Sequence, residues 1–463
     1  MRENFTQGDF AMISSGREYH LHTGYERRKL SGHLLDWANQ PDIYKEYPRT
    51  EKVMLSLDVP MPNETFFQII GKADTDIRPE SISLEEISRI FALAYSITLK
   101  SRYPGGEFFH RSVPSAGGLY PCELYMANRN ASESSEQNLQ PGLYHYAVSK
   151  HALERLRPGN FLEKGCALRF FVTAVFFRSA WKYRERSYRY HLLDAGHLVE
   201  NLVLTLKSLG LPFRANDDFE DREANHFLGL DPQKEVCLAI IDVPGMESAS
   251  ETSRLSEIET LPEAFREASR TSQKEIHYPA LTEIHEKTSR LTASANPLPD
   301  MLTNICPRPI SWQNIPKPET FPEKMNYAEA AIMRRSLRNF VRKSLPKAYY
   351  QSLIKILCEG GADDVGDKNA VCIGFLTENI EGVEPGYYLL NRRDASAALV
   401  KSGFFMEKMA HICLDQEWLA HAALHFFFVT NLQILEKHQG ARGYRHAMLR
   451  AGGSGQRIYL GAT

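Results

Sequence analysis

The 463-residue chain has almost no charge of one sign to spare: 55 Lys and Arg stand against 57 Asp and Glu, a formal net charge of -2. Without a basic excess there is no electrostatic case for a nucleic acid or for an anionic membrane surface. Long hydrophobic runs are also missing. A membrane helix needs roughly 18 apolar residues, and the best candidate, Phe170 to Phe177, is strand-sized. The opening MRENFTQGDF lacks the basic-then-apolar pattern of a secretory signal, so a cytoplasmic location is expected. Cysteine is scarce. The seven (Cys122, Cys166, Cys237, Cys306, Cys358, Cys372, Cys413) are scattered and never spaced C-x-x-C, which excludes a disulfide framework and a structural zinc site. His20 and His22 have no carboxylate or cysteine cluster beside them, so no metal site is expected. What is there is 43% hydrophobic and 24% charged, the profile of a globular protein, with length for several domains.

In chain order, residues 1–60 form a tyrosine- and histidine-rich arm. Ser83 and Glu86 make a capping box that opens an amphipathic helix through SLEEISRIFALAYSI. Residues 128–140 read as a polar connection, followed by strands at Pro141 to Tyr146 and at Arg169 to Arg178. A helix runs from about Ser187 and ends at Gly210, and the apolar VCLAIIDV is a buried strand. Residues 246–325, rich in Ser, Thr, Glu and Pro, read as a solvated linker carrying short helices.

The pattern then repeats. Residues 169–207 align without a gap onto 425–463, with Phe170/Phe426, Phe171/Phe427, Arg186/Arg442, Tyr188/Tyr444, Arg189/Arg445, Leu193/Leu449, Ala195/Ala451 and Gly196/Gly452 identical. Pro141-Gly142-Leu143-Tyr144 is echoed by Pro385-Gly386-Tyr387-Tyr388. A repeat this long implies two copies of one fold and not a solenoid. The expected division is an arm (1–60), a first copy (61–245), a linker (246–325) and a second copy (326–463). That second copy stops at the equivalent of Lys207, short of a counterpart to the end of the first.

Two stretches carry chemistry. In FHRSVPSAGGLYPCELYM, Arg111 precedes a turn of Pro114, Ser115, Ala116, Gly117 and Gly118, whose glycines let backbone amides approach a flat or anionic ligand. In RRSLRNF, Arg334, Arg335, Ser336 and Arg338 make a dense donor set for a phosphate and a polar ring edge. Each copy lacks the other's motif: the counterpart of RRSLRNF in the first is GKADTDI, and the second has no Pro-Ser-Ala-Gly turn. Lys182 and Tyr183 are likewise replaced by His438 and Gln439. Asp194-Ala195-Gly196-His197 is assigned to helix packing through Ala195 and Gly196, and not to Asp/His chemistry.

The run from Arg111 to Pro121 resembles the R-x-x-P-S-A-G-[GA]-x-[YH]-P signature of SagB-type dehydrogenases, a branch of the FMN-dependent nitroreductase superfamily, and RRSLRNF resembles that superfamily's R-R-S-x-R-x-F motif. The resemblance implies an α+β, nitroreductase-like three-layer fold with a central, mostly antiparallel sheet flanked by helices, here in two tandem copies as an intramolecular pseudo-dimer. It also implies FMN held by Arg111, Pro114 to Gly118 and the Arg334, Arg335, Ser336 and Arg338 set. Because the motifs are lost in complementary fashion, one FMN per chain is expected between the copies. Lys182 and Tyr183 resemble the Lys-Tyr pair that azoline-oxidising members need, which implies a peptide or small-molecule substrate oxidised at a C–N or C–C bond. The alternatives are an NAD(P)H-dependent nitro or quinone reductase and a non-catalytic flavin- or peptide-binding scaffold.

Overall fold

A computed structural model describes residues 13–27, 32–73, 75–103, 106–129, 139–216, 218–246, 258–289, 297–305, 311–322, 325–359 and 368–463. Most of the polar connection at 128–140 therefore lies outside the described residues. The strands, in chain order, are β1 (Lys52–Met54), β2 (Ile97–Tyr103), β3 (Gly106–Arg111), β4 (Cys122–Asn128), β5 (Gly142–Ala147), β6 (Ala152–Pro158), β7 (Cys166–Val175), β8 (Arg214–Asn216), β9 (Glu235–Pro244), β10 (Trp312–Asn314), β11 (Cys372–Thr377), β12 (Gly386–Asn391), β13 (Ser396–Ser402) and β14 (Leu424–Val429). They make two antiparallel sheets and a separate hairpin, β2–β3.

The first sheet runs β1-β6-β5-β4-β7-β9-β8 and the second β10-β13-β12-β11-β14, so the first five positions of one correspond in order to the second. β7 and β4 are buried along nearly their whole length, and their apolar stretches, residues 170–172 and 124–127, lie in that buried part. β14 ends the second sheet, where β7 goes on to pair with β9 (Phe170 opposite Ile241).

Two long helices, Ser187–Ser208 and Gly443–Gly461, cross between the sheets as the equivalents of each other. The crossing is at Gly196 and Gly452. A Cβ on Gly196 would lie 2.2 Å from the Leu449 carbonyl oxygen, and one on Gly452 2.2 Å from that of Leu193, so no residue with a side chain allows this approach. Beside it the second copy reaches into the first: Arg445 donates through two nitrogens to one oxygen of the buried Asp221 at 2.7 Å, and Arg442 donates to the other at 2.6 Å. Burial pushes the Asp221 carboxyl up, but the two arginines and His285 outweigh it and hold it below the usual range.

The copies also meet at matching helix starts. Thr65 and Asn326 form a β-bridge to each other, and each caps its own short helix with a capping box, through Gln68 and Glu329 respectively. Each box satisfies two orphan donors, and losing its cap costs about 1 kcal/mol. From this pairing, the helix Phe66–Gly71 leads into GKADTDI as Tyr327–Met333 leads into RRSLRNF.

The described residues within 246–325 carry short helices, as expected, and one of these is packed and not solvated. The helix Pro279–Thr288 buries Ala280, Leu281 and Ile284 in the first copy's core, and Thr288 shares a 2.8 Å hydrogen bond with Tyr188. β10, at the end of the stretch, is the second sheet's counterpart of β1. The arm is likewise built in: Lys45 is buried against Glu235 at 2.5 Å and Tyr125 at 2.7 Å.

Candidate functional site

The Pro114 to Gly118 turn leaves β3 and enters β4 through backbone that only a turn tolerates: φ is +69° at Gly117, +68° at Gly118 and +44° at Tyr120. Its core is the Ser115 hydroxyl, which accepts from the Tyr120 amide at 2.8 Å and donates to Asp194 Oδ2 at 2.6 Å. The Ala116 amide donates to the same carboxylate, 3.1 Å from Oδ1. Gly117 stays exposed. A Cβ there would sit 2.7 Å from the Tyr183 hydroxyl and 3.3 Å from Lys182 Nζ, so both tips stand directly over this glycine.

Lys182 and Tyr183 arrive on the helix Phe176–Tyr183, which follows β7 and is held by carbonyls of the arm. Trp181 Nε1 donates to Asp36 at 2.9 Å, Arg178 Nε to Asp42 at 2.9 Å, and the His33 ring meets the Lys182 carbonyl at 3.0 Å through its protonated Nε2. Burial first, then Tyr190 and Asp194, push the Tyr183 hydroxyl well up, while the Arg338 charge pulls the other way. Tyr183 therefore keeps its proton at neutral pH.

From the second copy, Arg334 is buried against the root of the turn. Its Nε donates to the Ser112 carbonyl at 3.0 Å and its Nη2 to that of Arg111 at 2.9 Å, and Nη1 has no hydrogen-bond partner among the described residues. Arg335 reaches the hairpin, with Nη1 3.2 Å from the Thr98 hydroxyl. Ser336 donates to the Tyr459 hydroxyl, at 3.1 Å, near the end of the Gly443–Gly461 helix. Arg338 is exposed, and its charge acts on Tyr183. The structure thus brings the turn, the Lys-Tyr pair and the arginine motif to one seam between the copies.

Arg111 requires a correction. It was expected to offer a bidentate guanidinium, but the side chain is fully buried, with Nη1 2.7 Å from the Tyr95 hydroxyl and Nη2 2.7 Å from the Ile43 carbonyl. The rings of Tyr44, Tyr95 and Tyr120 surround it, Tyr120 at 4.5 Å. Its role is to hold the arm and the turn. Asp194 is the residue that sequence reasoning passed over. Burial raises its carboxyl to about 7, against the lowering pull of Ser115 and Ala116. The signal available was the repeat itself: Ala195 and Gly196 recur in the second copy, but Asp194 is replaced by Arg450.

Two antiparallel sheets with paired central helices, and one polar seam built from unlike halves, define a tandem nitroreductase-like protein. Residues 77–243 match the nitroreductase family. The chain is 30% identical over 172 residues to the trifolitoxin-processing protein TfxB of Rhizobium leguminosarum bv. trifolii, covering 33% of this chain and 45% of that protein. It is 31% identical over 179 residues to the microcin B17-processing protein McbC of Escherichia coli, covering 35% of this chain and 62% of that one. The chain thus spans about half the length of these curated relatives. The crystal structure of a protein from Anabaena variabilis, classed as a nitroreductase, superposes with a TM-score of 0.74 at 23% identity over 97% of this chain and 92% of its own, which establishes the fold. Residues 77–243 therefore carry a nitroreductase family domain, and the relatives matched include processing proteins for trifolitoxin and microcin B17. Among the described residues no helix is long and apolar enough to cross a membrane.

Proposed function

We propose that the chain is an FMN-dependent oxidoreductase that holds one flavin at the seam and oxidises a C–N or C–C bond of a peptide or small molecule, as in the conversion of an azoline to an azole. The observation that carries this reading is the meeting of Lys182 Nζ and Tyr183 Oη over Gly117, beside a turn whose root is gripped by Arg334 of the other copy. The residues fit the cofactor. The unpartnered Arg334 Nη1 is a buried donor awaiting an acceptor, and Arg335, Ser336 and Arg338 add donors suited to a phosphate and a ribityl chain. Gly117 lets the Tyr183 hydroxyl and Lys182 Nζ close onto the turn, where a Cβ would meet them at 2.7 and 3.3 Å. The relatives, one processing trifolitoxin and one microcin B17, support a peptide as substrate.

FMN, when bound, supplies the hydride acceptor. The protein's part is to present and move a proton. Tyr183, which stays protonated, donates a hydrogen bond, and Lys182 Nζ beside it is the second group placed to handle the proton that leaves the substrate. The arm fixes that helix through Asp36 and Asp42.

The test is flavin absorbance of the purified chain, followed by anaerobic bleaching. Bleaching by a thiazoline peptide and not by NADPH supports the dehydrogenase; bleaching by NADPH alone replaces it with a reductase. Protein that stays colourless after reconstitution with FMN refutes both.

A further inference from the structure

The two copies serve as an internal control on which residues support the fold and which support the site. Ala195 and Gly196 recur as Ala451 and Gly452, and both glycines stand at the helix crossing. Asp194 does not recur. It occurs only in the copy that has the Ser115 turn, as do Lys182 and Tyr183. It is buried, and among the described residues no cation pairs with it; its partners are the Ser115 hydroxyl and the Ala116 amide. An ionised carboxylate buried this way is costly, and packing alone would be served as well by an apolar residue.

We propose that Asp194 is a positioning residue for the cofactor: its carboxylate clamps Ser115 and Ala116 so that Gly117 lies directly beneath Lys182 and Tyr183, and cofactor affinity depends on that clamp. The inference rests on the FMN reading above. Its chemistry is local. An ionised Asp194 accepts from both Ser115 and Ala116 through charged oxygens, whereas a protonated one keeps a single carbonyl oxygen as its good acceptor and makes only neutral bonds. The clamp then loosens.

Its neighbours do not titrate in the same range. On the same helix, burial lowers His191 to about 3 and His197 to about 4. Burial pushes Tyr183, on the preceding helix, and Cys122, on β4, well up. The charges that reach this neighbourhood from the second copy, Arg334 at His197 and Arg338 at Tyr183, are guanidinium charges, which stay on throughout. Asp194 itself, at about 7, is the group placed to change state near neutrality.

The experiment measures FMN dissociation constants of the full chain by fluorescence quenching between about pH 5.5 and pH 8.5, across the raised carboxyl range. Wild-type affinity should fall about tenfold as pH drops through 7, and Asp194→Asn should bind about tenfold more weakly at the alkaline end with a flat profile, the loss of one charge-assisted bond. Ser115→Ala removes a bond that lowers the carboxyl, so the midpoint of its profile should move to higher pH. That variant decides the matter if Asp194→Asn does not fold. Wild-type-like affinity and profile in Asp194→Asn, or an unmoved midpoint in Ser115→Ala, overturns the proposal and leaves the FMN reading standing. A wild-type chain that binds no FMN at any pH overturns both.

Discussion

Replacing Asp194 by Asn should make the protein more stable at alkaline pH while weakening its site. The carboxyl moves from 3.8 to about 7 on folding, chiefly through burial. An acid raised in the folded state contributes stability that is fully present below its unfolded value and lost as pH rises through the folded one, because the folded protein holds a proton that the unfolded chain has released. A carboxyl displaced that far is worth about 4 kcal/mol in all, and the part that falls between about pH 5 and pH 8 is about 2–3 kcal/mol. The Asn variant has no such dependence. Urea unfolding of both proteins at the two ends should therefore show the wild type losing about 2–3 kcal/mol relative to the variant as pH rises. The direction is the telling part: stability and cofactor affinity change oppositely with pH, which general loosening of the fold does not produce. A stability difference that is independent of pH would refute the reasoning, since Asp194 would then be ionised, or equally solvated, in both states.

Three further outcomes follow from the same geometry. Lys182→Ala should leave the FMN dissociation constant unchanged and lower turnover by about 10²- to 10⁴-fold in steady-state assays, the range for a lost proton-transfer group; weakened FMN binding would contradict that role. Gly117→Ala places a methyl 2.7 Å from the Tyr183 hydroxyl at a φ of +69°. It should cost about 1–2 kcal/mol in unfolding measurements and displace the Lys-Tyr pair, lowering turnover. Arg334→Ala leaves the buried Arg111 and Ser112 carbonyls without their donor, at a cost of about 2–4 kcal/mol to stability, and FMN affinity should fall with it.

Much of the architecture was legible because the repeat is written in identical residues. The gapless match of 169–207 to 425–463 maps onto real equivalents: the helices Phe176–Tyr183 and Leu432–Gln439, and then the two crossing helices. Ser83 and Glu86 form their capping box, and Gly210, at φ +67°, follows the first crossing helix. The motifs pointed to the seam because turn and arginine chemistry are local properties of a short stretch. Arg111 was misjudged because the sequence does not show that Tyr44, Tyr95 and Tyr120 converge on its guanidinium from three separate segments. Asp194 was missed for a different reason. Its partners lie 79 and 78 residues away, and only the contrast with Arg450 in the other copy marked it. How the arm and the described parts of the 246–325 stretch pack was not legible, since their partners lie far away in the chain, as with Lys45 on Glu235 and Thr288 on Tyr188.

The central claim is that unlike halves complete one site. Anaerobic titration of the flavin-free chain with FMN to saturation, with bound flavin counted against protein, measures this directly. The account predicts one FMN per chain, lost when Arg335→Ala or Ser115→Pro disables either half. Two flavins per chain, or one that survives both substitutions, would contradict it.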